Sequence, residues 1–233
     1  MLASYPFTNI KPNPFTFAGV MYEMIVEDIL FCLLPQKALF LPHFYTIVIS
    51  DVHLGKSAHF RKNGIPLTEA PQQQDLQNIQ NLIDACSPST VIFLGDLFHS
   101  TYNESWLQFK SFVASNPGVE FILIKGNHDM LVESRYVEAG IRLMSVMQVE
   151  SKILFSHEPS NNGLFNVHGH LHPAIRLMGK GRQKLVLPCF WKGKNHLAMP
   201  GFGKTTGLFT VKPLPGDQVF AITPQSVVPY LDK

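Results

Sequence analysis

Cysteine is scarce in this chain of 233 residues. The three cysteines, Cys32, Cys86 and Cys189, are far apart and odd in number, so they do not make a disulfide framework. Proteins that lack such a framework are typical of reducing compartments. We therefore expect this chain to act in the cytoplasm.

Long uninterrupted hydrophobic runs are also absent. The strongest candidate, FAGVMYEMIVEDILFCLL, is interrupted by Glu23, Glu27 and Asp28, and a membrane span needs roughly 18 or more apolar residues. The first twenty residues lack the charged start, apolar middle and small-residue cleavage site of a signal peptide. The sequence predicts no membrane contact, and it predicts a flexible lead-in over residues 1–20 followed by one domain over 21–233.

Acidic residues are missing between Pro159 and Gly216, although the chain has 17 of them. Such an asymmetry predicts a face that attracts a polyanion. The alternative is a set of solvated basic side chains on strands and turns. The bases in this segment are Arg176, Lys180, Arg182, Lys184, Lys192, Lys194, Lys204 and Lys212.

Apolar runs and helical periodicity alternate along the first two thirds of the chain. DILFCLLPQKALFLP, YTIVISD, TVIFLGD and VEFILIKGN predict strands, whereas QQQDLQNIQNLIDAC and NESWLQFKSFVASN predict helices. Strands that alternate with helices favour a parallel sheet covered by helices. After Val146 short strands dominate, so the sequence predicts a single α/β domain of two packed sheets with helices outside.

Metal-binding residue types follow five of the predicted strands, at the point where each strand ends. The residues are Asp51 and His53, then Asp96 and His99, then Asn127, His128 and Asp129, then His157, and last His170 and His172. Taken singly, each has an ordinary alternative, such as a helix N-cap for an aspartate or a turn for Gly-Asn. Because ligands of open α/β sheets bind beyond the carboxyl ends of the strands, the five ends together predict one shared site.

The donor types at this site suit hard-to-borderline divalent cations, since they are carboxylates, an amide and imidazoles without a thiolate. There are more donors than one ion can use, and Asp96 is the natural bridge between two ions. A single zinc ion is the alternative, but it would leave several donors idle. If NVHGHLHPAI is extended, His170 and His172 face the same side and can reach different ions. His168 is predicted to be a structural histidine within the strand.

The motifs D-x-H, G-D, G-N-H-D, a lone His after an apolar strand, and G-H-x-H, in that order, resemble the calcineurin-like metallophosphoesterase superfamily. DVHLGKSAHFRKNGIP, GHLHPAIRL, LVLPCFWKG and PGDQVFAI are further similar to the bacterial ligase-associated metallophosphoesterases. This closer resemblance extends from about Leu33 onward. It implies an α/β/β/α sandwich of two packed mixed β-sheets flanked by helices, with the active site at the carboxyl ends of the strands.

The resemblance also implies roles for the predicted site residues. One ion would be held by Asp51, His53, Asp96 and His172, and the other by Asp96, Asn127, His157 and His170. His128 would face the phosphate as a catalytic residue, with Asp129 holding its tautomer. The ions are expected to be Mn²⁺, with Zn²⁺, Fe²⁺ or Mg²⁺ as alternatives, and a hydroxide shared by both would attack phosphorus.

The function implied is that of a metal-dependent phosphodiesterase, a nuclease of DNA repair that acts on DNA rather than RNA. A functional association with an ATP-dependent DNA ligase and a helicase is implied as well. A phosphatase, a small-nucleotide phosphodiesterase or pyrophosphatase, and a non-catalytic scaffold of the same fold are the alternatives.

Four further residues are predicted to contact substrate. Lys56 and Arg61 follow the first ligands and could meet a phosphate, although a solvated helix face is the alternative. His99 could brace the site or meet substrate. Trp191 stands among lysines in PCFWKGKNH, which is typical of a surface that stacks on a nucleobase.

Overall fold

The apolar, β-branched segments of the first half of the chain form a seven-stranded sheet in a computed structural model. The structure describes residues 19–56, 68, 70–99, 102–179, 181 and 183–230, so the predicted lead-in and Arg61 lie outside the described residues apart from Gly19 and Val20. The strands are β1 (Tyr22–Val26), β2 (Ile29–Leu34), β3 (Ala38–Leu41), β4 (Thr46–Ile49), β5 (Thr90–Leu94), β6 (Glu120–Ile124) and β7 (Ile141–Met144).

These strands follow one another across the sheet in chain order. The first four pair antiparallel as a meander, whereas β4, β5, β6 and β7 pair parallel. The carboxyl ends of β4, β5 and β6 therefore meet at one edge of the sheet. The predicted parallel sheet is confirmed for these strands.

Three α-helices lie among the described residues: α1 (Ala70–Cys86), α2 (Glu104–Ala114) and α3 (Glu133–Glu138). The predicted helices correspond to α1 and α2, and α3 was not predicted from the periodicity. Asn103 caps α2, because its side chain accepts a hydrogen bond of 2.9 Å from the Ser105 amide. Trp106 and Phe109 bury the inner stripe of α2 against the first sheet.

The second half of the chain forms a mixed sheet. Its strands are β8 (Met147–Val149), β9 (Ile153–Ser156), β10 (Phe165–His168), β11 (Pro173–Met178), β12 (Lys184–Lys192), β13 (His196–Ala198), β14 (Phe209–Thr210), β15 (Gln218–Ile222) and β16 (Val227–Tyr230). Across the sheet the order is β14, β11, β12, β13, β10, β9, β8, with β15 added to β12 and β16 to β15, and the central strands β9 and β10 pair parallel.

A hydrophobic core joins the two sheets face to face. Val48 and Ile92 of the first sheet share one buried cluster with Phe155, Val167 and Phe190 of the second. A second cluster packs the other face of the first sheet against the helices. The predicted packing of two sheets is confirmed. None of the helices in the described ranges has the length and hydropathy needed to span a lipid bilayer.

The aromatic stripe of α2 gives a stability prediction. Phe109 is fully buried, whereas Leu107 on the same helix is 43% exposed. Phe109→Ala should lower the free energy of unfolding by about 3–5 kcal/mol through lost burial and the cavity it leaves. Leu107→Ala should change it by less than about 0.5 kcal/mol. Urea unfolding of both variants measures the difference, and equal midpoints would contradict this assignment of the core.

Candidate metal centre

Ligand-type side chains from both sheets meet at the carboxyl ends of their parallel strands. Asp51 follows β4, Asp96 follows β5, and Asn127 follows β6. From the second sheet, His157 follows β9, and the loop after β10 carries His170 and His172. The backbone amide of His170 donates to Asp51 Oδ2 at 3.0 Å, so the two sheets are tied together at the site itself.

Asp51, His53 and His172 form the first ligand group, in which one possible ligand atom of each lies within 4.8 Å of the others. His172 Nε2 lies 3.1 Å from Asp51 Oδ1. Both atoms are buried without a hydrogen-bond partner among the described residues. Unsatisfied buried polar atoms are costly, and a bound cation would satisfy a carboxylate oxygen and an imidazole nitrogen together. The first group therefore fits a divalent cation.

Asp96, His157 and His170 form the second ligand group, in which one possible ligand atom of each again lies within 4.8 Å of the others. His157 Nδ1 lies 2.9 Å from the carbonyl oxygen of Leu94, an arrangement in which the ring donates its proton there and leaves Nε2 free as a ligand atom. Nε2 lies 3.0 Å from Asn127 Oδ1 and 3.2 Å from His170 Nδ1. The amide of Asn127 is therefore placed to complete this group.

The carboxylate of Asp96 belongs to the second group and also faces the first. Its Oδ2 is 3.7 Å from His53 Nε2 in the first group, and its Oδ1 is 3.5 Å from His157 Nε2 in the second. Oδ1 also accepts a hydrogen bond of 2.9 Å from the backbone amide of His128. Asp96 is 2% exposed, so its orientation is set by the surrounding protein.

Five residues of the two groups adopt left-handed backbone conformations, which are uncommon for residues other than glycine. Such conformations cost energy and are concentrated at functional sites. The φ angles are +55° at Asp51, +52° at His53, +50° at Asp96, +67° at His170 and +49° at His172. The extended geometry predicted for His170 and His172 is therefore wrong, since β10 ends at His168 and β11 begins at Pro173. The two rings reach different groups because the chain turns sharply between them.

The protonation states at the first group suit cation binding. Burial lowers the pKa of His53 to about 3, so its ring is neutral at pH 7. Burial alone would raise the pKa of Asp51, but the electrostatic interactions of its carboxylate with His172 and His157 outweigh burial and hold that pKa below its ordinary value. Neutral imidazole and ionised carboxylate are the forms that bind metals.

His128 and His99 lie beside the first group. The ring centroid of His128 is 5.6 Å from that of His53 and 4.4 Å from that of His99. His99 Nδ1 in turn lies 3.1 Å from His53 Nδ1. His128 is half-buried and belongs to neither ligand group. Its ring is thus placed to meet a molecule bound at the centre, with His99 as its packing partner.

The carboxylate of Asp129 accepts hydrogen bonds from two backbone amides, whereas the sequence predicts a contact with the His128 ring. Its Oδ1 accepts from the amide of Phe98 at 3.1 Å and its Oδ2 from the amide of Gly126 at 2.9 Å. Burial raises its pKa to about 6. These bonds join the loops after β5 and β6, which carry Asp96 and Asn127. A role in holding the tautomer of His128 stays a prediction.

The remaining predicted residues lie in different parts of the structure. Lys56 donates from Nζ to the carbonyl oxygen of Thr205 at 2.8 Å, close to His53. Trp191 is half-buried on β12, where its indole nitrogen donates to Asp217. His168 is 1% exposed within β10 and belongs to neither group, as predicted for a structural histidine. Arg61 lies outside the described residues.

Sequence reasoning missed the glycines that let the ligand loops approach each other. A Cβ on Gly95 would overlap the ring of His157, and one on Gly169 would come within 2.7 Å of Asp51 Oδ2. A Cβ on Gly126 would overlap the amide nitrogen and Oδ1 of Asp96. Glycines directly beside ligand residues in G-D, G-N and G-H were the signal in the sequence.

Gly126→Ala should therefore weaken divalent-metal binding by about 10–100-fold, the range seen when groups that orient metal ligands are disturbed. The matched control is Gly118→Ala, because a Cβ at Gly118 would meet nothing within 4 Å. Calorimetric titration with Mn²⁺ compares the two variants with the unaltered protein. Equal affinities for all three would contradict a functional role for this close approach.

Comparisons with known proteins agree with this geometry. The family model described as calcineurin-like phosphoesterase matches residues 44–217. No curated protein matches the sequence. The crystal structure of Pseudomonas putida nuclease MPE has a TM-score of 0.77 and 22% identity, and the match covers 90% of this chain and 100% of that chain. This likeness shows a shared fold.

Two further solved structures are similar over part of the fold. The E. coli phosphoesterase Yfce has a TM-score of 0.41 and 13% identity, covering 78% of this chain and 96% of that chain. The protein of unknown function AQ665 from Aquifex aeolicus has a TM-score of 0.39 and 19% identity, covering 55% of this chain and 78% of that chain.

Proposed function

Because this chain belongs to the calcineurin-like phosphoesterase family, we propose that it is a metal-dependent phosphodiesterase that hydrolyses nucleic acid. The observation that carries the proposal is the pair of ligand groups with the carboxylate of Asp96 between them. Donors converge here from five separate strand ends, and four of them, Asp51, His53, Asp96 and His157, are buried, an arrangement that packing alone does not require. A site for two cations accounts for it.

Each ligand group is proposed to hold one cation, with Asp96 shared. The first cation would be held by Asp51, His53, Asp96 and His172, and the second by Asp96, Asn127, His157 and His170. Divalent cations bound there would supply an activated water at neutral pH and neutralise the charge of a phosphate. Asp51 and His53 are in the protonation states that bind a metal, and the bond from His157 to Leu94 fixes the ring that faces the second cation.

His128 is proposed to act on the substrate rather than on the cations. Its backbone amide is anchored to Asp96, so its ring stays close to the centre without being a ligand. From there the ring can donate a hydrogen bond to a phosphoryl oxygen or a proton to the leaving ester oxygen. His99, 4.4 Å away between ring centroids, limits the orientations that the His128 ring can adopt.

A nucleic-acid substrate is supported by the charge distribution and by one structural neighbour. The described bases of the acid-free segment include Arg176, Lys184, Lys194, Lys204 and Lys212, all of which are exposed. Exposed bases attract the phosphate backbone. The neighbour with a TM-score of 0.77 is a nuclease. Lys56, beside His53, is proposed as a phosphate contact.

The metal, the substrate and the biological setting are proposed from the family resemblance of the sequence motifs. Mn²⁺ is proposed as the metal, DNA as the substrate in preference to RNA, and DNA repair as the setting. A functional association with an ATP-dependent DNA ligase and a helicase is proposed on the same basis. Cys32, Cys86 and Cys189 are all buried and unpaired, which suits a reducing cytoplasm.

The salt dependence of hydrolysis separates a nucleic-acid substrate from a small phosphoester. Between about 50 and 200 mM salt, kcat/KM for a single-stranded oligonucleotide should fall roughly tenfold or more, the effect of about three phosphate contacts. Over the same range, kcat/KM for the chromogenic diester bis(p-nitrophenyl) phosphate should change less than about twofold. Steady-state rates in Mn²⁺ buffers measure both.

Two outcomes of this experiment count against the proposal. Equal salt dependence of the two substrates would favour a small phosphoester. Absence of hydrolysis of either substrate with Mn²⁺, Zn²⁺, Fe²⁺ or Mg²⁺ would contradict the enzymatic function and favour a non-catalytic scaffold.

A further inference from the structure

A large cavity opens beside the metal centre, on the second sheet. Its volume is about 640 Å³, within the range of small-molecule sites. Trp191, His196, Leu214 and Lys194 line it, together with Leu171, which separates the ligand-type residues His170 and His172 in the sequence. The cavity therefore adjoins the metal centre without sharing any member of the two ligand groups.

A second cavity, of about 540 Å³, connects this site to the ligand groups. It is lined by Asn127 and His157, and it shares Pro159 and Ser160 with the larger cavity. Both cavities are thus lined by the segment that follows His157. A chain-like ligand with a phosphodiester at the metal centre would pass over this segment and place its next unit in the larger cavity.

The protein fixes the aromatic wall of the larger cavity. Trp191 Nε1 donates to Asp217 Oδ2 at 2.8 Å, and the same oxygen accepts from the amide of Leu214 at 2.8 Å. The indole is also packed against the cluster on the outer face of the second sheet. The His196 ring stands at 90° to it, with centroids 5.3 Å apart. Because the indole N–H is already bonded, Trp191 offers a ligand its ring surface rather than a donor.

The polar groups around the cavity suit a ligand that carries both a phosphate and a flat polar ring. Asp217 is the only carboxylate among the described lining residues, and its Oδ2 is engaged by Trp191 and Leu214. Lys194 is exposed at the cavity and can meet a phosphate. The side chains of Asn195 and His196 offer donors and acceptors to the edge of a ring.

We propose that this cavity binds an unpaired nucleobase of the strand that is cleaved, with the base against Trp191 and a flanking phosphate near Lys194. The proposal rests on the proposed function, in which the substrate is nucleic acid. Aromatic platforms beside cations bind single-stranded nucleic acid in this way. A base that is paired and stacked in a duplex cannot enter, so the site selects single-stranded or locally unpaired substrate.

Trp191 fluorescence tests the proposal without catalysis. A short single-stranded oligonucleotide and an abasic oligomer of the same length are titrated into the protein in EDTA. The difference between the unaltered protein and Trp191→Phe isolates the emission of Trp191, since the other tryptophan, Trp106, is buried in the core and present in both. The oligonucleotide should quench this emission, whereas the abasic oligomer and a blunt duplex should not.

The matched variant is Trp191→Ala, with binding followed by anisotropy. It should weaken binding of the oligonucleotide about tenfold or more and leave binding of the abasic oligomer unchanged. Equal quenching by the oligonucleotide and the abasic oligomer, no quenching at all, or equal weakening of both by Trp191→Ala would overturn the proposal. The quenching comparison in the unaltered protein and Trp191→Phe decides the matter even if Trp191→Ala fails to fold.

The outcomes separate this proposal from the proposed function. Base-dependent quenching without hydrolysis in any metal would overturn only the enzymatic function. Hydrolysis of the oligonucleotide without base-dependent quenching would overturn only the nucleobase site.

Discussion

Asp96→Asn is expected to lower kcat for phosphodiester hydrolysis by at least about 10²–10³-fold, the loss typical of removing one electrostatic stabiliser from an active site. The substitution keeps the size of the side chain and an oxygen that can accept from the His128 amide. It removes the negative charge that lies 3.7 Å from His53 Nε2 and 3.5 Å from His157 Nε2. Without that charge, neither ligand group holds a cation as tightly.

Metal content gives an independent measurement of the same variant. After loading with Mn²⁺ and gel filtration, mass spectrometry should find two ions per chain in the unaltered protein and one or none in Asp96→Asn. Asp84→Asn is the matched control, because Asp84 is exposed near the end of α1, which leads into the amino end of β5, whereas Asp96 follows the carboxyl end of that strand. An Asp96→Asn variant that retained two ions and full activity would refute a shared role for this carboxylate.

His128→Ala is expected to lower kcat by about 10²–10⁴-fold, the contribution typical of a positioned general acid. Metal content should stay at the level of the unaltered protein, because the His128 ring belongs to neither ligand group. The hydrogen bond from its backbone amide to Asp96 does not depend on the side chain, so the geometry of the centre is kept. A loss of rate without a loss of bound metal would thus distinguish His128 from the metal ligands.

The control for this variant is His43→Ala. His43 is exposed in the turn before β4, at the opposite end of that strand from Asp51, so its loss should leave the rate unchanged within about twofold. If His128→Ala were as active as His43→Ala, or if it lost its metal, the role proposed for His128 would be wrong.

The convergence of the ligand loops could be predicted because it depends on two local patterns. Apolar runs such as TVIFLGD indicate a buried strand, and a following Asp or His stands where that strand ends. Once β4, β5 and β6 are parallel, Asp51, Asp96 and Asn127 must lie at the same edge. The sequence also assigned His157 and His170 to this site, and the structure shows that they reach it from the second sheet.

The turn through His170 and His172 could not be predicted from periodicity. Alternating histidines in HGHLH indicate an extended strand, but both residues adopt positive φ angles. These conformations are held by long-range bonds, such as that from the His170 amide to Asp51, 119 residues away in the sequence. A left-handed conformation at a residue other than glycine is set by tertiary structure, and the local sequence contains no signal for it.

The hydrogen bond of Trp191 could not be predicted from the sequence. Its position among lysines predicted a contact with substrate, but not that its indole nitrogen is bonded to Asp217 on the loop before β15. That pairing follows from the antiparallel register of β12 with β15, in which Trp191 lies opposite Val219. Cross-strand register between distant segments is decided by packing of the whole sheet.

Anomalous diffraction from crystals soaked in Mn²⁺ tests the metal centre most directly. We predict two peaks, one in contact with Asp51, His53 and His172 and the other with Asn127, His157 and His170, and both in contact with the carboxylate of Asp96. A single peak, peaks elsewhere on the molecule, or no bound metal at saturating Mn²⁺ would contradict the proposed two-cation site.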